Sequence, residues 1–134
     1  HQRMLEVRSL DTAQQIEKYI NDNIAWDLSI EHLCAHFSIS RAELYQLFHT
    51  NFNASVADYI RSKRIAMAEQ LIRTTSMQIS EIAANVGFFD YNYFSKVFHR
   101  KFGVSPREYR KKLEDNGTGQ EKTAEQGKSN TKKA

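Results

Sequence analysis

His32, Cys34 and His36 are the first residues of the chain whose types and spacing suggest chemistry. The two histidines lie one helical turn apart, a spacing that turns both imidazoles to one side of a helix as a two-point metal chelate. The HExxH pattern that would add a catalytic glutamate is missing, and no third ligand is set by spacing. Cys34 is the single cysteine, so neither a disulfide framework nor a cysteine zinc site can form within the chain. It reads as a small packed residue, and no metal is assigned. Glycine-rich phosphate loops, nucleophile elbows and paired carboxylates are likewise missing, so no catalytic residue and no cofactor is named. The chain reads as a non-enzyme.

Two other sets are richer. Arg41, Ala42, Tyr45, Gln46 and His49 recur at helical spacing, and so do Tyr91, Asn92, Ser95, Lys96 and His99. Interleaved with them are Leu44, Leu47 and Phe48, then Phe94, Val97 and Phe98, which take the core side and leave both polar sets outward. Arg and Lys donate to guanine O6 and N7, Gln and Asn amides pair with adenine, and an Ala methyl or Tyr ring covers a thymine methyl. Both faces suit the reading of base edges.

The elements that would hold these faces are all helical. There is one proline, there are five glycines, and no β-branched alternation is sustained. Ile16, Tyr19, Ile20 and Ile24 mark a first helix from about Asp11. Ser29, Ser40, Ser55 and Asp90 are N-caps ahead of apolar runs. Ser105-Pro106-Arg107-Glu108 opens the last helix with a serine cap, proline in the first turn and glutamate completing a capping box. The predicted division is 1–10 as a linker, a helix-turn-helix unit at about 29–52, a central helix at about 55–73, a second unit at about 78–103 and a final helix at about 105–113. Residues 114–134 hold no large apolar side chain and are predicted to be a disordered tail.

An internal repeat organises the middle. Ile30-x-x-Leu33-x-Ala35-x-Phe37 returns as Ile79-x-x-Ile82-x-Ala84-x-Val86, and Leu44, Phe48, Phe52, Ser55 and Tyr59 return as Phe94, Phe98, Phe102, Ser105 and Tyr109. Each copy is a short helix, a tight turn, a second helix and a capped third, the pattern of a helix-turn-helix. Gly87 suits the second turn because a positive φ costs it little; Ser38 holds the matching place in the first. Charge divides along the same line. Residues 1–58 carry four Lys/Arg against eight Asp/Glu and residues 59–113 carry eleven against four, within a net charge of +3 for the whole chain. The positive excess of the second half fits a polyanion on one side.

The stretch KRIAMAEQLIRTTSMQISEIAANVGFFDYNYFSKVFHRKFGVSPREY, from Lys63 to Tyr109, resembles the DNA-binding domain of the AraC/XylS family of bacterial transcription regulators. The likeness covers roughly residues 10–113, with Ser38 standing where glycine is often found and Ala42 small for a recognition position. It implies an all-α fold of about seven helices, in which two helix-turn-helix units are bridged by the long central helix. It also implies that Ala42, Tyr45, Gln46, Tyr91, Asn92 and Lys96 are the positions most used for base contact.

Phosphates are expected at the helix starts at Ser29 and Gln78 and at Arg61, Arg100, Lys101, Arg107, Arg110 and Lys111. Arg64, spaced with the apolar stripe, is expected in a structural ion pair or as a buried stem with its head at the surface. The expected partner is an operator or promoter duplex in the cytoplasm, with RNA polymerase as a further one and no membrane. The chain opens on His1 rather than Met, which predicts an effector or dimerisation domain upstream. The competing expectation is a basic helical protein-interaction module, separated from the first by salt-dependent, sequence-selective duplex binding.

Overall fold

The computed structural model describes residues 2–125, with side chains described to residue 117. Seven helices follow one another: α1 (Gln2–Asp22), α2 (Ile30–Phe37), α3 (Arg41–Phe52), α4 (Val56–Thr74), α5 (Ile79–Asn85), α6 (Tyr91–Phe102) and α7 (Pro106–Glu125). No strand occurs among the described residues.

Local chemistry explains where most of them begin. The hydroxyls of Ser29, Ser40 and Ser55 accept from the amides of His32, Glu43 and Asp58. The Asp90 carboxylate accepts from the amides of Asn92 and Tyr93. Glu43 and Glu108 return the bond to the backbone of Ser40 and Ser105, closing two capping boxes. Each cap satisfies amides that the helix leaves orphaned, a contribution of about 1 kcal/mol.

The helices close around two cores. Ile16, Ile20, Ile24, Leu28, Leu33, Leu44, Phe48, Val56 and Ile60 form the first. Ile65, Ala68, Ile72, Ile79, Ile82, Ala83, Val86, Phe88, Phe94, Val97 and Phe98 form the second. The first half of α4 therefore belongs to one core and its second half to the other, with Met67 touching both. This division makes α4 the bridge.

The repeat extends into contacts that its spacing did not reveal. Tyr59 donates its hydroxyl to Glu17, and Tyr109 donates its own to Glu69. Tyr59 packs against Phe48 and Phe52 as Tyr109 packs against Phe98 and Phe102. So α1 and α4 open equivalent units, and α4 and α7 close them. Burial, then the bond to Glu17, raises the pKa of the Tyr59 phenol. The Glu69 carboxyl is held below its ordinary 4.5, first by the bond from Arg73; burial opposes this and Tyr109 adds to it. A depressed carboxylate contributes stability above its unfolded value and loses it as pH falls through the folded one. Glu69→Gln is expected to flatten the fall in Tm below about pH 4.5. Melts of both proteins through the carboxylate range check this; parallel curves would remove Glu69 from the acid response.

Two ends differ from expectation. The helix runs from Gln2 rather than about Asp11, and Asn51 Nδ2 donates to Ser9 Oγ at 2.9 Å, tying this first stretch to α3. At the other end α7 continues to Glu125 rather than stopping near 113; residues 126–134 lie outside the described residues. Residues 114–116 are exposed, so the extension is a helix whose backbone bonds are internal and which adds no described core contact. Truncation after Leu113 is expected to change stability by no more than about 0.5 kcal/mol. A melting temperature lower by many degrees would show that the extension packs on the domain.

Candidate nucleic-acid interface

The second helix of each unit presents a concave outward face. Against α3 the lining is Ala42, Tyr45, Gln46 and His49 with Ala54 and Ser55. Against α6 it is Asn92, Ser95, Lys96, His99 and Arg100 with Ser105. Ala42 matches Asn92, Tyr45 matches Ser95, Gln46 matches Lys96, His49 matches His99 and Ser55 matches Ser105, all at the repeat offset. The two concavities are thus one design built twice, each walled by a recognition helix and by the start of the helix that closes its unit.

The buried side of each helix sets this orientation. Leu44 and Phe48 are fully buried under α3, and Phe94 and Phe98 under α6. Ser38 adopts φ 55 in the first turn and Gly87 adopts φ 100 in the second. The second turn is one residue longer, and the additional residue, Phe89, is 84% exposed.

Most of the expected base-reading residues face out as a group, with two qualifications. Arg41 is exposed but is not in the concavity; it pairs with Glu31 across the unit. Both partners are more than half exposed, so solvent screens the pair and it contributes little to stability. Tyr91 is half-buried and packs against the second core beside Phe94, which turns much of its ring inward. Gln46 is held in plane by donating Nε2 to Thr50 Oγ1 at 2.8 Å.

The cationic candidates separate more sharply. Arg100, Lys101, Arg107 and Lys111 are exposed, and none has an acidic partner at ion-pair distance among the described residues. Arg61 pairs with Asp58 and reaches the Tyr93 hydroxyl at 3.4 Å. Arg110 does not belong with them. Its guanidinium donates to the carbonyls of Ile72, Thr75 and Met77, capping the end of α4 and the loop after it. All three nitrogens are spent within the fold, so Arg110 is withdrawn from the phosphate set.

Arg64 is its counterpart in the first unit, and of its two expected roles the half-buried stem with its head toward the surface is the one that fits. Among the described residues it makes no ion pair; Nε donates to Ile24 O at 3.1 Å and a terminal nitrogen to Trp26 O at 2.9 Å. Burial lowers its pKa, with Asp27 opposing. Sequence offset missed this equivalence because the two arginines are 46 residues apart, off the repeat's register. Ser29 and Gln78 do start α2 and α5, but Ser29 is occupied as a cap and Gln78 donates its amide to Glu81. His32 and His36 both engage Tyr19, by a 2.6 Å contact to its hydroxyl and by ring stacking at 4.1 Å. Among the described residues no group of three or more potential ligands is arranged to hold a metal, and no helix is long and apolar enough to cross a membrane.

Known proteins share this arrangement. The family described as a helix-turn-helix domain matches residues 33–112. The HTH-type transcriptional activator RhaR of Cronobacter sakazakii is 38% identical over 100 residues, covering 75% of this chain and 35% of that protein. The chain therefore spans about a third of the length of the curated relatives it matches. A crystal structure of an AraC-type transcriptional regulator from Chromobacterium violaceum superposes with a TM-score of 0.69 at 27% identity, covering 81% of this chain and 94% of that one. The C-terminal domain of the response regulator yesN from Fusobacterium nucleatum superposes with a TM-score of 0.70 at 30% identity, covering 75% and 98%. With two capped helix-turn-helix units, a shared bridging helix and these relatives, the chain belongs to the AraC-type helix-turn-helix family and is a sequence-specific DNA-binding domain of transcription regulation.

Proposed function

We propose that α3 and α6 enter two adjacent major-groove segments of one operator or promoter duplex. The observation that carries this reading is the pair of equivalent concavities, lined by matching positions of α3 and α6 and joined through α4. In such units the second helix lies in the major groove and its outward residues meet base edges. Ala42, Tyr45, Gln46 and His49 read one segment; Asn92, Ser95, Lys96 and His99 read the other. Arg41 and Tyr91 join only if the Glu31 pair opens or the Tyr91 ring turns.

Arg61, Arg100, Lys101, Arg107 and Lys111 meet phosphates, which position the domain without reading sequence. The amides at the starts of α2 and α5, near Ser29 and Gln78, add to them. A shared bridging helix favours segments about one turn, roughly 34 Å, apart, and two unlike helices favour a non-palindromic pair of boxes.

Footprinting of the domain on a duplex selected from a random pool tests this. Protection of two boxes about one turn apart is expected; protection of one box alone would refute simultaneous docking. An acidic-protein partner in place of DNA would show as salt-sensitive binding without sequence preference.

The activator names of relatives support RNA polymerase as a further partner. Their length supports an effector or dimerisation region outside this chain. The reading places the protein in the cytoplasm with its DNA and assigns it no reaction and no cofactor.

A further inference from the structure

We infer that the two recognition helices read boxes of different base composition, α3 an A·T box and α6 a box containing G·C, and that α6 supplies most of the salt dependence. The inference rests on the docking proposed above and deepens it to the class of DNA sequence bound.

It starts from the matched positions. The α3 concavity offers a methyl at Ala42, a ring at Tyr45, an amide at Gln46 and an imidazole at His49, and no lysine or arginine. Arg41, the nearest one, is engaged by Glu31. Gln46 donates one Nε2 hydrogen to Thr50, which leaves its carbonyl oxygen as an acceptor and its second amide hydrogen as a donor. An adenine edge presents a donor at N6, whereas guanine presents only the acceptors N7 and O6. One acceptor beside one donor complements the N6 and N7 pair of adenine, whereas guanine leaves the acceptor without a donor. Cytosine N4 is the other groove donor, but a C·G pair has no methyl for Ala42 and Tyr45 to cover. An A·T pair supplies both.

One matched position of α6 inverts this chemistry. Where α3 carries Gln46, α6 carries Lys96, with Arg100 one turn further along the same concavity. Both are donors only; Lys96 complements the N7 and O6 pair of guanine, and Arg100 adds a phosphate contact beside it. Neither is paired with an acid among the described residues. Lys101 and Arg107 stand exposed nearby in sequence, in the segment with eleven basic residues against four acidic, while the first unit lies in the segment with four against eight. Each neutralised phosphate contributes roughly 0.9 to the salt slope, so the slope originates mostly at the second unit.

Selection from a random duplex pool, repeated with Gln46→Ala, Gln46→Lys and Lys96→Ala, tests the inference. Both positions are on exposed helix faces, and circular dichroism checks that the variants remain helical. The unaltered domain should select one A·T box and one box with G·C. Gln46→Ala should lose roughly 5- to 150-fold in discrimination at a position of the A·T box only, with the salt slope unchanged. Gln46→Lys should shift that position from adenine toward guanine and raise the slope. Lys96→Ala should blur a G·C position in the other box. The inference is overturned if Gln46→Ala blurs the G·C box, or if Lys96→Ala lowers the slope by about one unit and leaves every base preference intact. Failure of the unaltered domain to select any sequence would instead remove the docking proposal itself and this inference with it.

Discussion

Gly87→Ala is expected to destabilise the domain by about 2–4 kcal/mol and to lower Tm by about 10–25 °C. Two costs add at this position. The backbone sits at φ +100, which a Cβ makes unfavourable, and the added Cβ would come within 2.5 Å of Arg64 Nε and 2.6 Å of Ile24 O. The atoms it meets are the two ends of the Arg64 bond to the Ile24 carbonyl. Arg64 must therefore withdraw, and a partly buried carbonyl and a guanidinium lose each other at once. Gly103 provides the control. It has φ +81 with nothing within 4 Å of its would-be Cβ, so Gly103→Ala carries the conformational cost alone, about 1 kcal/mol or somewhat more. Thermal melts of the two variants separate close approach from backbone strain. Equal losses would mean that Gly87 is needed only for its φ.

The consequence reaches DNA binding. Gly87 belongs to the turn of the second unit, Ile24 and Trp26 to the loop after α1 in the first, and Arg64 to the bridge between them. This is where the turn of one unit rests on the other, so loosening it should weaken binding to the paired boxes more than binding to either box alone.

Arg110→Met is the second large effect. The substitution keeps most of the aliphatic stem but strands the carbonyls of Ile72, Thr75 and Met77, all now satisfied by one guanidinium. Hydrogen bonds to a charged group contribute about 1.5–3 kcal/mol and unsatisfied carbonyls add a further penalty, so a loss of about 2–4 kcal/mol is expected. At temperatures where the variant is fully folded, its salt slope for DNA should match that of the unaltered domain. Arg107→Ala, at an exposed position, should behave in the opposite way, with little change in Tm and a slope lower by about one unit. A stable Arg110→Met protein with a reduced slope would return Arg110 to the phosphate contacts.

These two residues show where reading of the sequence stops. Helix starts were legible because a cap and its amide are two or three residues apart, and chain order alone brings them together. Caps at Ser29, Ser40, Ser55, Asp90 and Ser105 are of this kind. The buried faces of α3 and α6 were legible because helical period and side-chain polarity agree at Leu44, Phe48, Phe94 and Phe98. The repeat was legible for the same reason, and with it the two outward faces.

The sequence by itself thus determined an all-helical chain, two copies of one unit, and the side of each recognition helix turned outward. Tertiary structure alone decided which polar residues were free to use that side. Arg64 and Arg110 bond carbonyls 33 to 40 positions away, Tyr59 and Tyr109 reach carboxylates 42 and 40 positions away, and Arg41 finds Glu31 across the turn. The physical reason is that arginine and tyrosine carry long apolar stems with polar ends. Whether such a side chain serves a ligand or the fold depends on which buried carbonyls and carboxylates packing leaves in reach, and unsatisfied buried groups are too costly to remain so.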